Sequence, residues 1–168
     1  MLAPMEPRVR PLPPEQWDDF QRANPQNVFT TLGRHPKLYR AWLGFGSVLL
    51  YDGTLPARER ELAILRTAHR HGSAYEWAHH TRIGRAAGLT DQEIDAVRRD
   101  DADWPPGDLL VLRTADELHA DGDLSDATWA ALCERYDETQ RIELVMLIAQ
   151  YGMLATVLAT LRVPLEDA

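Results

Sequence analysis

The stretch Ser73-Ala-Tyr-Glu-Trp-Ala-His-His80 lies between two amphipathic helical patterns and ahead of a stop at Ala87-Gly88-Leu89. Read as a helix, it puts Ser73, Glu76 and His80 on one face and Tyr75 and His79 on a neighbouring one. A carboxylate and an imidazole one turn apart can share a hydrogen bond and move a proton near neutral pH. Ser73 suits the helix N-cap, and Gly88 suits a left-handed C-cap.

Helical patterns continue in both directions. Upstream, Arg58 to Arg70 follow the turn Asp52-Gly53-Thr54-Leu55-Pro56, with Pro56 at the first helical position. Before that turn, Leu38, Trp42, Phe45 and Leu49 recur at helical spacing within Pro36–Tyr51. Gly44, Gly46 and Ser47 are small enough there to admit a neighbouring backbone. Pro14 to Ala23 reads as a short helix, Pro25 to Gly33 as an irregular turn, and the proline-rich residues 1–14 as extended chain. Downstream, Thr90-Asp-Gln-Glu93 is a capping box for a short helix over 91–99. Helices over 108–120, 126–135 and 138–162 complete an all-α reading, and no strand pattern survives. The acidic run Asp100–Asp103 reads as a solvated loop.

The 168 residues suit one domain, with 45% hydrophobic and 26% charged residues giving enough apolar surface for a packed core. A net charge of −8 argues against nucleic acid or an anionic membrane surface as partner, because both require a positive patch. Cys133 is the only cysteine, so neither an intrachain disulfide nor a Cys-x-x-Cys redox pair can form. It reads as a small buried apolar residue. With no basic start followed by an apolar run at the N-terminus, the expected location is the cytoplasm. Leu144 to Leu161 carries no charge and is about as long as a bilayer span. Its Gln150, Tyr151, Gly152, Thr156 and Thr160 favour a central helix partly buried against another subunit, hence a homo-oligomer without a membrane partner.

Three stretches carry a family resemblance: Leu55-Pro-Ala-Arg-Glu-Arg-Glu-Leu-Ala-Ile-Leu-Arg66, the segment Tyr75–Leu89 with the capped helix after it, and the tail Tyr151–Glu166. They resemble the carboxymuconolactone decarboxylase family, which includes the alkyl hydroperoxidase D-like proteins. The resemblance implies an alkyl hydroperoxidase D-like helical domain over 36–168, preceded by an N-terminal extension and short helix over 1–35. The redox branch of that family carries a Glu, a Cys-x-x-Cys and a His, and this pattern falls on Glu61, Ser73, Glu76 and His80. Both thiol positions are therefore replaced. The resemblance carries over Glu61 and His80 as polar site members, without dithiol peroxide chemistry. The decarboxylase branch implies cofactor-free acid–base chemistry, as a lyase or isomerase, on a small carboxylated lactone or related carbonyl compound.

The expected catalytic set is thus Glu61, Glu76 and His80, with Ser73, Tyr75 and His79 as substrate-binding candidates. Glu61 sits at the edge of an apolar stripe with Leu65 and Ala68; its plain alternative is a surface residue beside Arg58. Glu76 has a plain alternative as the partner of Arg82 or Arg85. No metal is expected, because adjacent His79 and His80 point about 100° apart on a helix and rarely share an ion. Two rival readings are an antioxidant hydroperoxidase and a non-catalytic relative that binds a small ligand.

Overall fold

A computed structural model of the chain describes residues 6–166, and among them every regular element is helical. A 3-10 turn at Pro14–Gln16 precedes α1 (Asp19–Ala23), α2 (Asn27–Leu32), α3 (Pro36–Tyr51), α4 (Ala57–Arg70) and α5 (Ala74–Ala86). Then come α6 (Asp91–Ala96), α7 (Pro106–Asp121), α8 (Asp126–Arg135) and α9 (Glu138–Leu161). The expected all-α domain is what forms. Part of the extended reading of residues 1–14 falls on residues 1–5, outside the described residues.

The centre of the fold is α4, which is buried without interruption from Glu61 to Ala68. It packs against α5, α7 and α9. Leu62, Ile64 and Leu65 are sealed from water, as are Leu144 and Leu147 opposite them on α9. Each such aliphatic side chain contributes about 1.5–3 kcal/mol through burial. Length and composition would let α9 cross a bilayer, yet it serves here as a core helix, with eight residues from Leu144 to Leu158 buried.

Polar groups fix where α4 starts and how it is held. The Glu143 carboxylate on α9 accepts from the Thr54 backbone N–H at 2.6 Å and from the Leu55 N–H at 3.1 Å, locking the turn before α4. A Cβ at Gly53 would lie 2.2 Å from that carboxylate, so a larger residue there would displace Glu143 from the turn. Pro56 stands one place earlier than expected, as the N-cap. Across the helix, Arg66 donates to both oxygens of Asp116 on α7, at 2.7 and 2.8 Å, and to Asp100 at 2.7 Å. Asp100 is therefore an anchor of the linker before α7, paired with both Arg66 and Arg70, rather than part of a free solvated run.

Three further local expectations change. Residues 27–32 form a helix, not an irregular turn. Its backbone is held from outside: the Val28 N–H donates to the Tyr75 hydroxyl at 3.1 Å, and the Asn27 N–H donates to Glu166 at 2.7 Å. A Cβ added at Gly44 or Gly46 would meet no atom of another element within 4 Å among the described residues. Instead of admitting another backbone, they face the cavity described below. Cys133 is exposed rather than buried, on the outer side of α8.

Candidate active site

The site begins with the ends of α5. Ser73 accepts the Glu76 N–H at 3.4 Å as N-cap, and Thr67 O, at the end of α4, receives the His71 N–H just before it. At the other end Gly88, with φ of +98°, adopts the left-handed conformation. The Leu89 N–H then donates to Gly84 O at 2.9 Å and the Gly88 N–H to Arg85 O at 3.1 Å. Together these bonds form a Schellman cap. One turn inside that cap, Gly84 lets α5 lie close on α4: a Cβ there would stand 3.1 Å from Leu89 Cδ1, 3.4 Å from Leu65 Cδ1 and 3.7 Å from Glu61 Cβ.

This close crossing brings His80 onto Glu61. His80 Nδ1 lies 2.7 Å from Glu61 Oε2, so the two polar site members that the family resemblance carried over meet across the helix pair. Glu61 has no exposed surface, and its other oxygen accepts from Arg60 Nε at 3.0 Å. It has no contact with Arg58, which pairs with Asp108 and Glu93 instead. A carboxylate on Nδ1 keeps the proton there and leaves the lone pair on Nε2. The Tyr151 ring of α9 meets the imidazole edge-on, with 4.9 Å between ring centroids.

His80 faces a cavity of about 440 Å³ bounded by α1, α2, α3, α5 and α9. Its walls are largely aromatic and aliphatic, with Phe20, Phe29, Trp42 and Leu50 prominent. Glu76, His79, Arg82, Gln150 and Tyr151 add the polar groups. Glu76 is 2% exposed, and neither carboxyl oxygen has a hydrogen-bond partner among the described residues. Burial pushes its pKa up to about 8, with the nearby Ser73 hydroxyl opposing the shift. At neutral pH Glu76 is therefore a carboxylic acid with a proton to donate. The simple ion-pair alternative does not form, because Arg85 pairs with Asp91 at 2.6 Å and Arg82 makes no ion pair with Glu76.

Two of the expected site residues lie off the cavity wall, and two on it are already engaged. Glu61 does not line the cavity; it stands behind His80 and acts through it. Ser73 stays at the helix cap, off the cavity wall. Tyr75 and His79 line the cavity but are engaged by the chain's own tail: Glu166 accepts from the Tyr75 hydroxyl at 2.5 Å and lies 2.8 Å from His79 Nε2. Adjacent His79 and His80 thus diverge onto two different carboxylates.

Sequence reasoning did not assign Arg60, Tyr151 or Glu166 to the site. Tyr151 offered the one usable signal, a phenol inside the uncharged run 144–161. Burial first, then the Glu61 and Glu76 carboxyls nearby, raises its pKa well above 10, so it stays a neutral O–H donor.

Residues 36–107 match the Carboxymuconolactone decarboxylase family. The match covers α3 to the start of α7, including Glu61, Glu76 and His80; the tail Tyr151–Glu166 lies outside it. Solved structures extend the likeness across the fold. An uncharacterized peroxidase-related protein with an alkylhydroperoxidase AhpD core from Ralstonia eutropha JMP134 superposes with a TM-score of 0.81 at 24% identity, covering 97% of this chain and 95% of that one. A peroxidase-related protein from Silicibacter sp. TM1040 also reaches 0.81, at 15% identity over 99% and 96% of the two chains. The debrominase Bmp8, in a complex with 2,3,4-tribromopyrrole, reaches 0.76 at 18% identity over 98% and 95%. At these identities the likeness establishes the fold and leaves the reaction open. No curated protein sequence matches the chain.

Proposed function

We infer that this chain is an acid–base enzyme acting at a carbon next to a carbonyl group, as a lyase or isomerase on a small, largely apolar carbonyl compound. The observation that carries the reading is the pairing of His80 with the sealed Glu61 at 2.7 Å, on the wall of a cavity that also holds a neutral Glu76. His80 Nε2 takes the proton from carbon, and Glu61 positions the imidazole and stabilises the imidazolium that forms. Glu76 supplies an O–H where negative charge develops. Where the substrate carries a carboxylic acid, His80 Nε2 takes that acid's proton instead of a C–H proton, and the apolar walls raise the carboxylate's energy so that the C–C bond breaks with loss of carbon dioxide. The electron pair then passes to the carbonyl oxygen, and the imidazolium returns a proton to carbon.

Peroxide reduction through a dithiol has little support. Ser73 and Glu76 stand at the two thiol positions, and Cys133 lies on the exposed side of α8.

The test is a panel of γ-carboxylated lactones and β-keto acids in deuterated water, followed by NMR for deuterium entering the carbon skeleton and for carbon dioxide release. His80→Ala should lower the rate roughly 100- to 10,000-fold, the usual worth of one positioned acid or base. Equal rates in wild type and His80→Ala, with the fold intact by circular dichroism, would defeat the reading.

A further inference from the structure

Two O–H donors face one cavity with nothing in the protein to receive them. The Glu76 carboxyl is buried with no partner on either oxygen, and Tyr151, on the same cavity wall, makes no side-chain hydrogen bond among the described residues. Buried polar groups in folded proteins are nearly always paired, so the orphaned Glu76 carboxyl points to a missing ligand group, and the Tyr151 phenol stands on the same wall. They come from different helices, α5 and α9, and converge beside the same imidazole, since Tyr151 lies edge-on to His80. We propose that Tyr151 and Glu76 form an oxyanion receptor, so that the site takes planar apolar compounds reacting through an enolate- or phenolate-like oxygen. The proposal rests on the acid–base reading of His80 and adds the substrate class and a further catalytic residue, Tyr151.

The chemistry balances without another reactant. His80 Nε2 removes a proton from carbon, the C–H electron pair becomes the C=C bond of an enolate, and the carbonyl π pair moves onto oxygen. The two O–H groups receive that charge in a cavity with largely apolar walls, where fixed donors act most strongly. The imidazolium then returns its proton to the same carbon or to a conjugated one, and the electron pairs reverse. A carboxylic acid can serve as such a donor only while an apolar site keeps it neutral.

The other titratable or charged groups around Glu76 and Tyr151 are His79, His80 and Arg82 on α5, Arg60 and Glu61 on α4, and Tyr51 on α3. Glu61 is held by Arg60 and His80, and His79 by Glu166. This leaves Glu76 as the wall group whose ionisation would place a new negative charge beside the bound oxygen.

The test needs no turnover. p-Nitrophenol is a planar probe whose phenolate absorbs visible light, and p-cresol is a probe of similar shape that stays neutral. The full-length wild-type protein should bind p-nitrophenol as phenolate at a pH below the probe's own pKa. Tyr151→Phe should weaken that binding about tenfold or more, the worth of one hydrogen bond to a charged group, and leave p-cresol binding within about threefold. In wild type, phenolate affinity should fall as the pH rises through about 8, where Glu76 ionises. Glu76→Gln keeps an N–H donor and should bind phenolate with no such fall, whereas Glu76→Leu should lose it. Binding of neutral nitrophenol only, or phenolate binding unaltered in both Tyr151→Phe and Glu76→Leu, overturns the receptor. If His80-dependent deuterium exchange persists alongside that result, the receptor alone has failed and the proton-transfer reading stands.

Discussion

Glu76 shows at the scale of a residue how a site can oppose its own fold. Its carboxyl is buried without a partner, and its pKa lies near 8 against an ordinary 4.5. The folded state therefore holds a proton that the unfolded chain releases above about 4.5. Stability from this group is full below that pH and declines as pH rises through about 8. His69 and His71, whose pKa values burial lowers, act in the opposite sense and only below the ordinary histidine range. Comparing wild type with Glu76→Gln isolates the carboxyl. Between pH 5 and 8 the wild type should lose up to about 1.4 kcal/mol per pH unit relative to Glu76→Gln, read by denaturant melts. Parallel pH profiles would show that Glu76 is already ionised at pH 5. Glu76 and His80 were legible in the sequence because one helical turn separates them. The role of Glu61 was half legible: its place on a core-facing stripe was visible, but its seat behind the imidazole depends on how closely α5 approaches at Gly84.

Among the elements, the helices with apolar spacing or a capping signal were legible, the short α6 and α8 included, and α2 was not. The helices α3, α4, α5, α7 and α9 follow from apolar spacing, caps and turn residues. By contrast α2, Asn-Val-Phe-Thr-Thr-Leu, has no side-chain cap and three β-branched residues, so local propensity gives no sign of it. It exists because Tyr75 and Glu166, distant in sequence, receive its first N–H groups. Glu166→Ala should loosen α2 and with it a wall of the cavity. Hydrogen exchange at Val28 and its neighbours should speed up while α4 amides stay protected. Uniform exchange across the chain would show instead that the tail clasp holds no separate element. Arg66 plays the opposite part, as a buried anchor for α4. It is 4% exposed and holds Asp116, Asp100 and the Val97 carbonyl. Arg66→Met leaves Asp100 and Asp116 to the more exposed Arg70 alone and the Val97 carbonyl without its donor, and a loss of about 3 kcal/mol in unfolding free energy is expected. A change below about 1 kcal/mol would mean that Arg70 alone can hold the pair of aspartates.

For the whole molecule, the described chain leaves one side unfinished. Helix α3 has 16 residues and a largely apolar sequence, yet buries only Tyr39 and Leu49. Leu38, Phe45, Val48 and Tyr51 stand exposed along it. On α9 a second stripe, Ile142, Met146 and Met153, recurs at helical spacing and is also exposed. Leu38 and Met153 border one apolar groove of about 420 Å³, so the two stripes adjoin. Contiguous apolar surface on this scale marks an interface in soluble proteins, and closed symmetric assembly of identical chains is the commonest way to cover it. We propose that the self-associating face expected from the uncharged run 144–161 extends to α3, whose share the sequence hid because small and aromatic residues there also line the cavity. Sedimentation at micromolar concentration should give a multiple of 19.1 kDa. Val48→Asp combined with Met146→Glu places charge on both stripes and should shift the chain to monomer, keeping its helical content. Because α3 is also a cavity wall, the monomeric variant should bind p-nitrophenol more weakly than the assembled protein. A wild type that sediments as a clean monomer, or a charged double variant that still assembles, would rule out this face as the interface.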